Sequence, residues 1–228
     1  MMRFGPLTHS TFKTRPNRFL GLAEVDGQVE ECFIPNPGRL RALLLPGASV
    51  YLGKSEARAR RTHWDLSLVD HGGVLVSVDS RVSNAVIKES IQAGLVPEFH
   101  GYRVDRHEPS FGDSRLDFRL TNGSAYALVE VKSCTLVVDS VALFPDASTE
   151  RGTRHLRALG EALRLGRSAL VFLIQRGDAL SLSPNKATDP AFTEALRGAL
   201  LKGVEVYAYD SKVTQEGITI NRRVPVNI

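Results

Sequence analysis

Short apolar runs with alternating polar positions fill the first 80 residues, and turn signals separate them. Strand-like runs cover 19–25, 28–34, 48–53, 64–69 and 74–78. The intervening Asp26-Gly27 and the segment 70–73 have the Gly- and Asp-rich composition of tight turns between antiparallel strands. Because no long helical period interrupts this part, the pattern predicts a small antiparallel OB-like β-barrel over residues 1–80.

Beyond residue 80, helical and strand-like patterns alternate. Ser83 is a suitable N-cap for a short helix over 84–93, which Gly94 ends. Strand-like segments follow at 101–107, 114–120 and 125–132, and a helix with regularly spaced leucines covers 150–165. An apolar run at 168–174, a helix over 189–203 and a strand over 204–209 complete the order. The pattern predicts a mixed α/β domain over residues 81–228, with a mixed central sheet.

The segments 114–120 and 125–132 are joined by Asn122-Gly123, the strongest short-range signal for a β-hairpin. With a period of two, one face of the first strand carries Leu116, Phe118 and Leu120. Asp117 then points to the opposite face. On the second strand Glu130 and Lys132 point the same way, so the hairpin is expected to bring Asp117 beside them.

Asp117, Glu130 and Lys132 together suit metal-assisted cleavage of a phosphodiester. Two carboxylates held close together repel each other unless a cation lies between them, and Mg²⁺ or Mn²⁺ is the usual solution. The lysine would neutralise charge on the phosphate or hold the attacking water. The alternative is an ordinary cross-strand ion pair on a solvated sheet face. The apolar residues around 128–131 favour a buried strand, where charged groups are usually functional.

Composition restricts the class of protein without identifying it. The chain has 228 residues, of which 43% are hydrophobic and 24% charged, as is typical of globular proteins. No apolar run is long enough to cross a membrane and the start lacks a signal-peptide core, so a cytoplasmic protein without a membrane partner is expected. Cys32 and Cys134 stand apart, which predicts reduced thiols and no zinc site. Self-association is left open.

The net charge of +4 is compatible with a nucleic-acid partner, and most of the excess lies in the N-terminal part. Three basic clusters occur there, with Phe12 and Phe33 nearby: Lys13, Arg15 and Arg18; Arg39 and Arg41; Lys54, Arg58, Arg60 and Arg61. On a barrel these side chains would follow phosphates while the aromatic rings stack on bases. The alternative for each cluster is a solvated face.

A helix with Glu89, then strands with Asp117 and Glu130-Val131-Lys132, then a further helix, resembles the PD-(D/E)xK nuclease superfamily. The chain as a whole is similar to the sugar fermentation stimulation protein (SfsA) family. The segments that carry this resemblance are 6–7, 18–20, 35–40, 45–50, 62–66, 84–91, 130–132, 144–147, 151–156 and 175–178. Departures from the family pattern are Pro16, Asn17, Pro37 and Thr153.

The resemblance implies an N-terminal OB fold, a restriction-endonuclease-like C-terminal domain, binding of DNA and a link to sugar metabolism. It implies that Asp117, Glu130 and Lys132 are catalytic and that Glu89, Asp117 and Glu130 hold Mg²⁺ or Mn²⁺. The residues expected to bind nucleic acid are Arg15, Arg18, Asn36, Arg39, Arg58, Arg60, Arg61, Arg151, Arg154 and His155.

The expected function is therefore DNA binding with divalent-metal-dependent phosphodiester hydrolysis, on single-stranded or duplex DNA. The alternative is a DNA-binding regulatory protein without catalysis that is linked to sugar metabolism. A sugar-metabolising enzyme is disfavoured because the sequence has no phosphate-cradling Gly-rich loop and indicates no glycosidase acid pair.

Overall fold

The computed structural model describes residues 1–55 and 61–228. The first part of the chain forms β1 (Met2–Arg3), β2 (Leu7–Asn17), β3 (Leu20–Val25), β4 (Gln28–Phe33), β5 (Ser49–Lys54), β6 (Trp64–His71) and β7 (Val74–Ser77). Strands β2 to β7 form a sheet in the order β4-β3-β2-β5-β6-β7. A parallel pairing of Cys32 with Trp64 joins β4 to β6 and closes β2 to β6 into a barrel. The prediction of an N-terminal OB-like barrel is confirmed.

Alternation along the strands fills the barrel interior. Phe12 on β2, Val50 and Leu52 on β5 and Leu66 on β6 are buried in one apolar cluster. Asp26 and Gly27 both have positive φ angles in the tight turn that connects β3 to β4. The first strand does not belong to the barrel, because β1 pairs with the last strand of the second sheet. Residues 2–3 therefore lie outside the barrel that was predicted over 1–80.

The remaining chain forms a second unit. Its helices are α1 (Val82–Gln92), α2 (Glu150–Ala162) and α3 (Pro190–Lys202), with 3-10 turns at Pro97–Phe99 and Leu163–Leu165. Its strands are β8 (Arg103–His107), β9 (Ser110–Phe111), β10 (Ser114–Arg115), β11 (Phe118–Thr121), β12 (Tyr126–Cys134), β13 (Val137–Val138), β14 (Val141–Phe144), β15 (Arg167–Ile174), β16 (Ser181–Pro184), β17 (Glu205–Val213) and β18 (Gly217–Val224).

The central sheet has the order β1-β18-β17-β15-β12-β11-β8. Strands β12, β15 and β17 pair in parallel, whereas β11 and β18 join them antiparallel, so the prediction of a mixed central sheet is confirmed. Helix α1 covers one face, where Ile87 packs with Val129 and Val171. Helices α2 and α3 cover the other face, where Leu156 and Leu196 are buried. Because β15 is covered on both sides, it needs the continuous apolar run that its sequence shows.

The predicted hairpin forms between β11 and β12, with Phe118 opposite Val129 and Thr121 opposite Tyr126. Its first strand is shorter than predicted, because the chain bends at Asp117. This bend interrupts the alternation: Leu116 packs under α2 and α3, whereas Phe118 packs under α1. The prediction that Leu116 shares a face with Phe118 is therefore wrong.

Gln175, directly after β15, joins the barrel to the α/β unit. Its side-chain amide donates to the carbonyl oxygen of Ser77 (2.9 Å) and to that of Asp79 (3.1 Å). The Ser133 hydroxyl donates to its Oε1 atom at 2.5 Å. In a further contact across the junction, the Leu40 amide donates to the Asp146 carboxylate at 3.1 Å. Among the described residues, no helix is long and apolar enough to cross a membrane.

Candidate functional site

A cleft of about 390 Å³ lies where barrel loops meet strand β12 and helices α1 and α2. The barrel contributes Arg18 and the loop that contains Pro37. The α/β unit contributes residues that include Ser83, Asn84, Asp117, Glu130, Lys132, Ser133, Ser148 and Arg151. The structure therefore brings the three predicted catalytic residues together at the junction of the two units.

Asp117 is held in the cleft by the bend before β11. Its Oδ2 atom accepts a hydrogen bond from the Val131 backbone amide (2.7 Å), and its Oδ1 atom accepts one from the Asn84 side chain (2.7 Å). Burial, together with the negative charge of Glu130, raises the pKa of Asp117 to about 6, although both hydrogen bonds act to lower it. The two carboxylates are thus close enough to disfavour simultaneous ionisation.

The two oxygens of the buried Glu130 carboxylate have different surroundings. Its Oε1 atom contacts the Lys132 ammonium and the His155 Nδ1 atom, the latter at 2.5 Å. Its Oε2 atom is buried and has no hydrogen-bond partner among the described residues. Burial raises the pKa of Glu130, but the charge of Lys132 and the hydrogen bond and charge of His155 outweigh it, so the pKa is lowered overall. Glu130 is therefore an anion with one uncommitted oxygen.

These side chains fit a hard divalent cation. A buried carboxylate oxygen without a partner is costly, and a cation between Asp117 and Glu130 would satisfy it while reducing their repulsion. Within residues 1–55 and 61–228, no cluster of three or more His, Cys, Asp or Glu side chains is arranged to hold a metal. Two protein carboxylates are nonetheless a common set for Mg²⁺, which otherwise keeps water and substrate phosphate as ligands.

Glu89 does not lie at this cleft, which corrects its assignment as a metal ligand. It is on α1, and its carboxylate contacts the amino group of Met1 at 3.2 Å. Asn84, five positions earlier, is the α1 residue that contacts Asp117. Five residues turn an α-helix by roughly 140° and advance it by roughly 7.5 Å, so the two side chains cannot reach the same site. In the sequence, Asn84 marked the start of the predicted helix and belonged to the segment 84–91 that carries the family resemblance, but it was not predicted as a site residue.

Helix α2 places Arg151 at the cleft. The helix begins at Glu150 and is capped by the Thr149 hydroxyl, which accepts a hydrogen bond from the Gly152 amide at 3.0 Å. Arg151 is exposed and lines the cleft, as a contact with phosphate requires. Arg154 is also exposed but does not line it.

His155 is only 2% exposed, so its assignment to nucleic-acid binding is corrected. The geometry gives it a positioning role, because its ring orients the Glu130 carboxylate. The i, i+4 spacing placed Arg151 and His155 on the same side of α2. The sequence did not show that His155 is buried, because its burial depends on how α2 packs against the sheet.

Arg15 and Asn36 support the barrel loops. Arg15 donates to the carbonyl oxygens of Arg39 (2.5 Å), Arg18 (2.5 Å) and Asn36 (3.3 Å), which occupies much of its guanidinium. The buried Asn36 side chain donates to the Val78 carbonyl oxygen at 2.9 Å and accepts from the Gly38 amide at 2.8 Å. These contacts hold the loop around residue 37 against the cleft.

A second, basic pocket of about 760 Å³ adjoins the cleft. It shares Arg18, Pro37, Gly38, Ala147 and Ser148 with the cleft and adds Arg15, Arg39 and Arg41. Arg18 and Arg39 are exposed and remain predicted contacts for nucleic acid. Arg61 is exposed and forms an ion pair with Glu31 at 2.9 Å. Arg58 and Arg60 lie outside the described residues.

Comparison with known proteins gives a consistent assignment. The profile of the "Sugar fermentation stimulation protein RE domain" matches residues 81–217, and that of the "SfsA N-terminal OB domain" matches residues 14–78. A sugar fermentation stimulation protein homolog of Caldanaerobacter subterraneus is 45% identical over 222 residues, which cover 97% of each chain. The homolog of Moorella thermoacetica is 45% identical over 225 residues, covering 97% of this chain and 96% of the relative.

A solved structure agrees with these relatives. The structure of Pyrococcus furiosus SfsA in complex with Ca²⁺ is 30% identical and aligns with a TM-score of 0.93. The alignment covers 100% of this chain and 98% of that protein. The chain belongs to the sugar fermentation stimulation protein (SfsA) family.

Proposed function

We propose that this protein is a DNA-binding nuclease of the PD-(D/E)xK type that hydrolyses phosphodiesters with Mg²⁺ or Mn²⁺ in the cytoplasm. The observation that carries the proposal is the buried Oε2 atom of Glu130, which has no partner among the described residues and belongs to the same cleft as Asp117. The Ca²⁺ complex of the Pyrococcus furiosus relative supports a divalent cation in this family. The adjoining basic pocket supports a polyanionic substrate.

Four side chains of the cleft have distinct roles in this proposal. Asp117 and Glu130 would hold the cation, which would supply positive charge for the phosphate and for the attacking water. Lys132, which lies against the Oε1 atom of Glu130, adds positive charge beside the phosphate as negative charge develops there. Arg151 at the start of α2 contacts a neighbouring phosphate oxygen.

Asn84 and His155 act on the carboxylates instead of the substrate. The amide of Asn84 fixes Asp117, and the ring of His155 fixes Glu130, so both carboxylates that would hold the cation have a defined orientation. Because these partners come from α1 and α2, the helices on both faces of the sheet contribute to one site.

A second function is a DNA-binding regulatory protein without catalysis that is linked to sugar metabolism. One observation favours it: within the described part of the chain, Glu89 is directed elsewhere and no third acidic, His or Cys ligand completes the site. Such a protein would keep the basic pocket and bind DNA in a salt-dependent manner without cleaving it.

The test is cleavage of single-stranded, duplex and branched DNA in the presence of Mg²⁺, Mn²⁺ or a chelator. We expect chelator-sensitive cleavage that falls by at least about a hundredfold in Asp117→Asn. Asp113→Asn is the matched control, because Asp113 is an exposed acid four residues earlier in the chain and outside the cleft. Cleavage that persists in Asp117→Asn would refute the assignment, whereas salt-sensitive binding without cleavage supports the regulatory alternative.

A further inference from the structure

We propose that the exposed ring of Phe19 on the barrel is a stacking platform for an unpaired base of the DNA strand that enters the cleft. The proposal rests on the proposed nuclease function and adds a substrate class to it. That class is DNA with a single-stranded segment beside the scissile phosphate.

Four side chains, which we call the aromatic platform, form a continuous series on the barrel: Arg18, Phe19, Phe33 and Arg81. Phe19 lies between β2 and β3 and is 44% exposed. Its ring is nearly parallel to that of Phe33, with the planes at 22° and the centroids 6.1 Å apart. The Arg18 guanidinium lies 5.4 Å from the Phe19 centroid. Phe33 thus supports Phe19 from the barrel side, and the exposed aromatic group is held in place before any ligand binds.

The aromatic platform adjoins the cleft through Arg18, and its other end, Arg81, leads into helix α1. Arg18 lines the cleft, and its Nε atom donates to the carbonyl oxygen of Pro37 at 2.9 Å. Arg81, whose guanidinium lies 5.7 Å from the Phe33 centroid, immediately precedes α1. Asn84 on that helix contacts the catalytic carboxylate of Asp117. A nucleotide on Phe19 would therefore be near a phosphate in the cleft.

Charge along the aromatic platform is unequal. Arg81 forms ion pairs with Asp79 (2.6 Å) and Asp65 (2.9 Å), so its charge is largely neutralised and it fixes the platform. Arg18 forms no ion pair with any carboxylate in the described residues, so its charge is available for a phosphate. An aromatic ring next to an unpaired arginine matches a base and its adjoining phosphate.

This chemistry distinguishes single-stranded from duplex DNA. A base inside a duplex is covered on both faces by its neighbours, whereas an unpaired base exposes a face that can stack on a phenyl ring or a guanidinium. A duplex would still meet the arginines through its phosphates but could not use Phe19. The platform therefore favours a strand that is already unpaired where it reaches the barrel.

The experiment measures DNA binding by fluorescence anisotropy in the cleavage-deficient Asp117→Asn background with chelator present. A labelled single strand and the duplex of the same sequence are compared at one salt concentration. In this background, Phe19→Ala is expected to weaken single-strand binding about tenfold and duplex binding less than about twofold. Phe19→Trp is expected to retain single-strand binding, which separates loss of the platform from loss of the fold.

Tyr126→Ala is the matched control, because Tyr126 is 47% exposed, lies 4.9 Å from the Arg119 guanidinium and lines neither the cleft nor the basic pocket. Equal loss for both DNA forms, no loss in Phe19→Ala, or no binding of either form overturns the platform. Because no divalent cation is present, absence of cleavage in the nuclease assay does not affect this result. A result in which the protein does not distinguish single-stranded from duplex DNA would likewise leave the proposed nuclease function unaffected.

Discussion

At Glu130, the two oxygens of one carboxylate have different partners, and the proposed metal site depends on this difference. Oε1 is fixed by Lys132 and His155, whereas Oε2 is buried without a partner in the described residues. Leaving such an atom unsatisfied costs on the order of 1–3 kcal/mol in folding stability. Without a ligand, the protein is therefore less stable than it would be if this oxygen had a partner, and such a loss of stability is common at functional sites.

Removing the buried charge of Asp117 should stabilise the protein when no metal is present. The pKa of Asp117, about 6, is above the ordinary value of 3.8. At a pH between these two pKa values, the folded state therefore binds more protons than the unfolded state. Stability contributed by this group is therefore complete below about pH 4 and is lost as the pH rises through about 6. We therefore expect the free energy of unfolding of Asp117→Asn, relative to that of the original protein, to be about 2 kcal/mol higher at pH 8 than at pH 4.

Chemical denaturation with chelator at the two pH values measures this gain. The asparagine can accept from the Val131 amide and donate to a flipped Asn84 amide, so the local hydrogen bonds are kept. Added Mg²⁺ should stabilise the original protein more than the variant. A variant that is less stable at pH 8 than the original protein would contradict the electrostatic account.

The role of His155 in orienting Glu130 can be separated from direct contact with substrate. We expect His155→Ala to weaken Mn²⁺ binding by about 10- to 100-fold, because the Oε1 atom loses a fixed partner. Metal-free DNA binding should be unchanged, since the ring is buried. Titration calorimetry with Mn²⁺ measures the first effect, and His155→Asn, which keeps a donor, should recover part of the affinity. If the alanine variant bound Mn²⁺ with unchanged affinity, His155 would have no role in orienting Glu130 for the metal.

The starts of two helices are fixed by one carboxylate. Asp189 accepts from the Phe192 amide at the start of α3 (2.9 Å) and from the Thr149 amide at the start of α2 (2.8 Å). Because α2 carries Arg151 and His155, this buried cap positions cleft residues that it does not touch. The sequence predicted the start of α3 from Asp189-Pro190, but the link to α2 required the folded chain.

Glycines in and beside the helices should respond in opposite ways to alanine. Gly198 is inside α3 and has open space around an added Cβ, so Gly198→Ala should stabilise the protein by about 0.5–1 kcal/mol. Gly166 has a φ of 146°, and its Cβ would lie 2.4 Å from the Tyr126 carbonyl oxygen. Gly166→Ala should therefore destabilise the protein by about 2 kcal/mol or more. The melting temperatures of the two variants measure these effects. If both variants shifted the melting temperature in the same direction, the expectation from these contacts would be wrong.

The cleft exists because the barrel and the α/β unit are packed together. Arg18 and Pro37 come from one unit, and Asp117 and Glu130 come from the other. Asp146 receives the Leu40 amide across the junction, and a Cβ on Gly38 would lie 2.5 Å from that carboxylate. The absence of a side chain at residue 38 thus permits the close approach that forms one wall.

Gln175 should couple the two units during unfolding. Its buried amide uses both its donor and its acceptor at the junction, so Gln175→Ala should lower the free energy of unfolding by about 2–4 kcal/mol. We also expect the thermal transition to broaden or divide, because the units lose part of their shared interface. Differential scanning calorimetry measures both effects, with the exposed Gln215→Ala as control. A single sharp transition at the original temperature would show that Gln175 does not couple the units.

Local signals in the sequence were enough to predict most elements of both units and the proximity of Asp117 to Glu130, but not the strands β2 (Leu7–Asn17) and β18 (Gly217–Val224). Period-two alternation, the Asn122-Gly123 turn and the apolar run of β15 are local signals, because each depends on neighbouring residues. They were sufficient to place a barrel before a mixed sheet and to direct Glu130 and Lys132 to one side of a strand.

Contacts between distant segments determine which helical side chains reach the site and which arginines are committed to loops. Asn84 replaced Glu89 because the rotation of α1 against the sheet is set by packing with the apolar cluster around Ile87. His155 became a buried partner of Glu130 for the same reason on α2. Such placements depend on contacts between distant segments, and local periodicity carries no information about them.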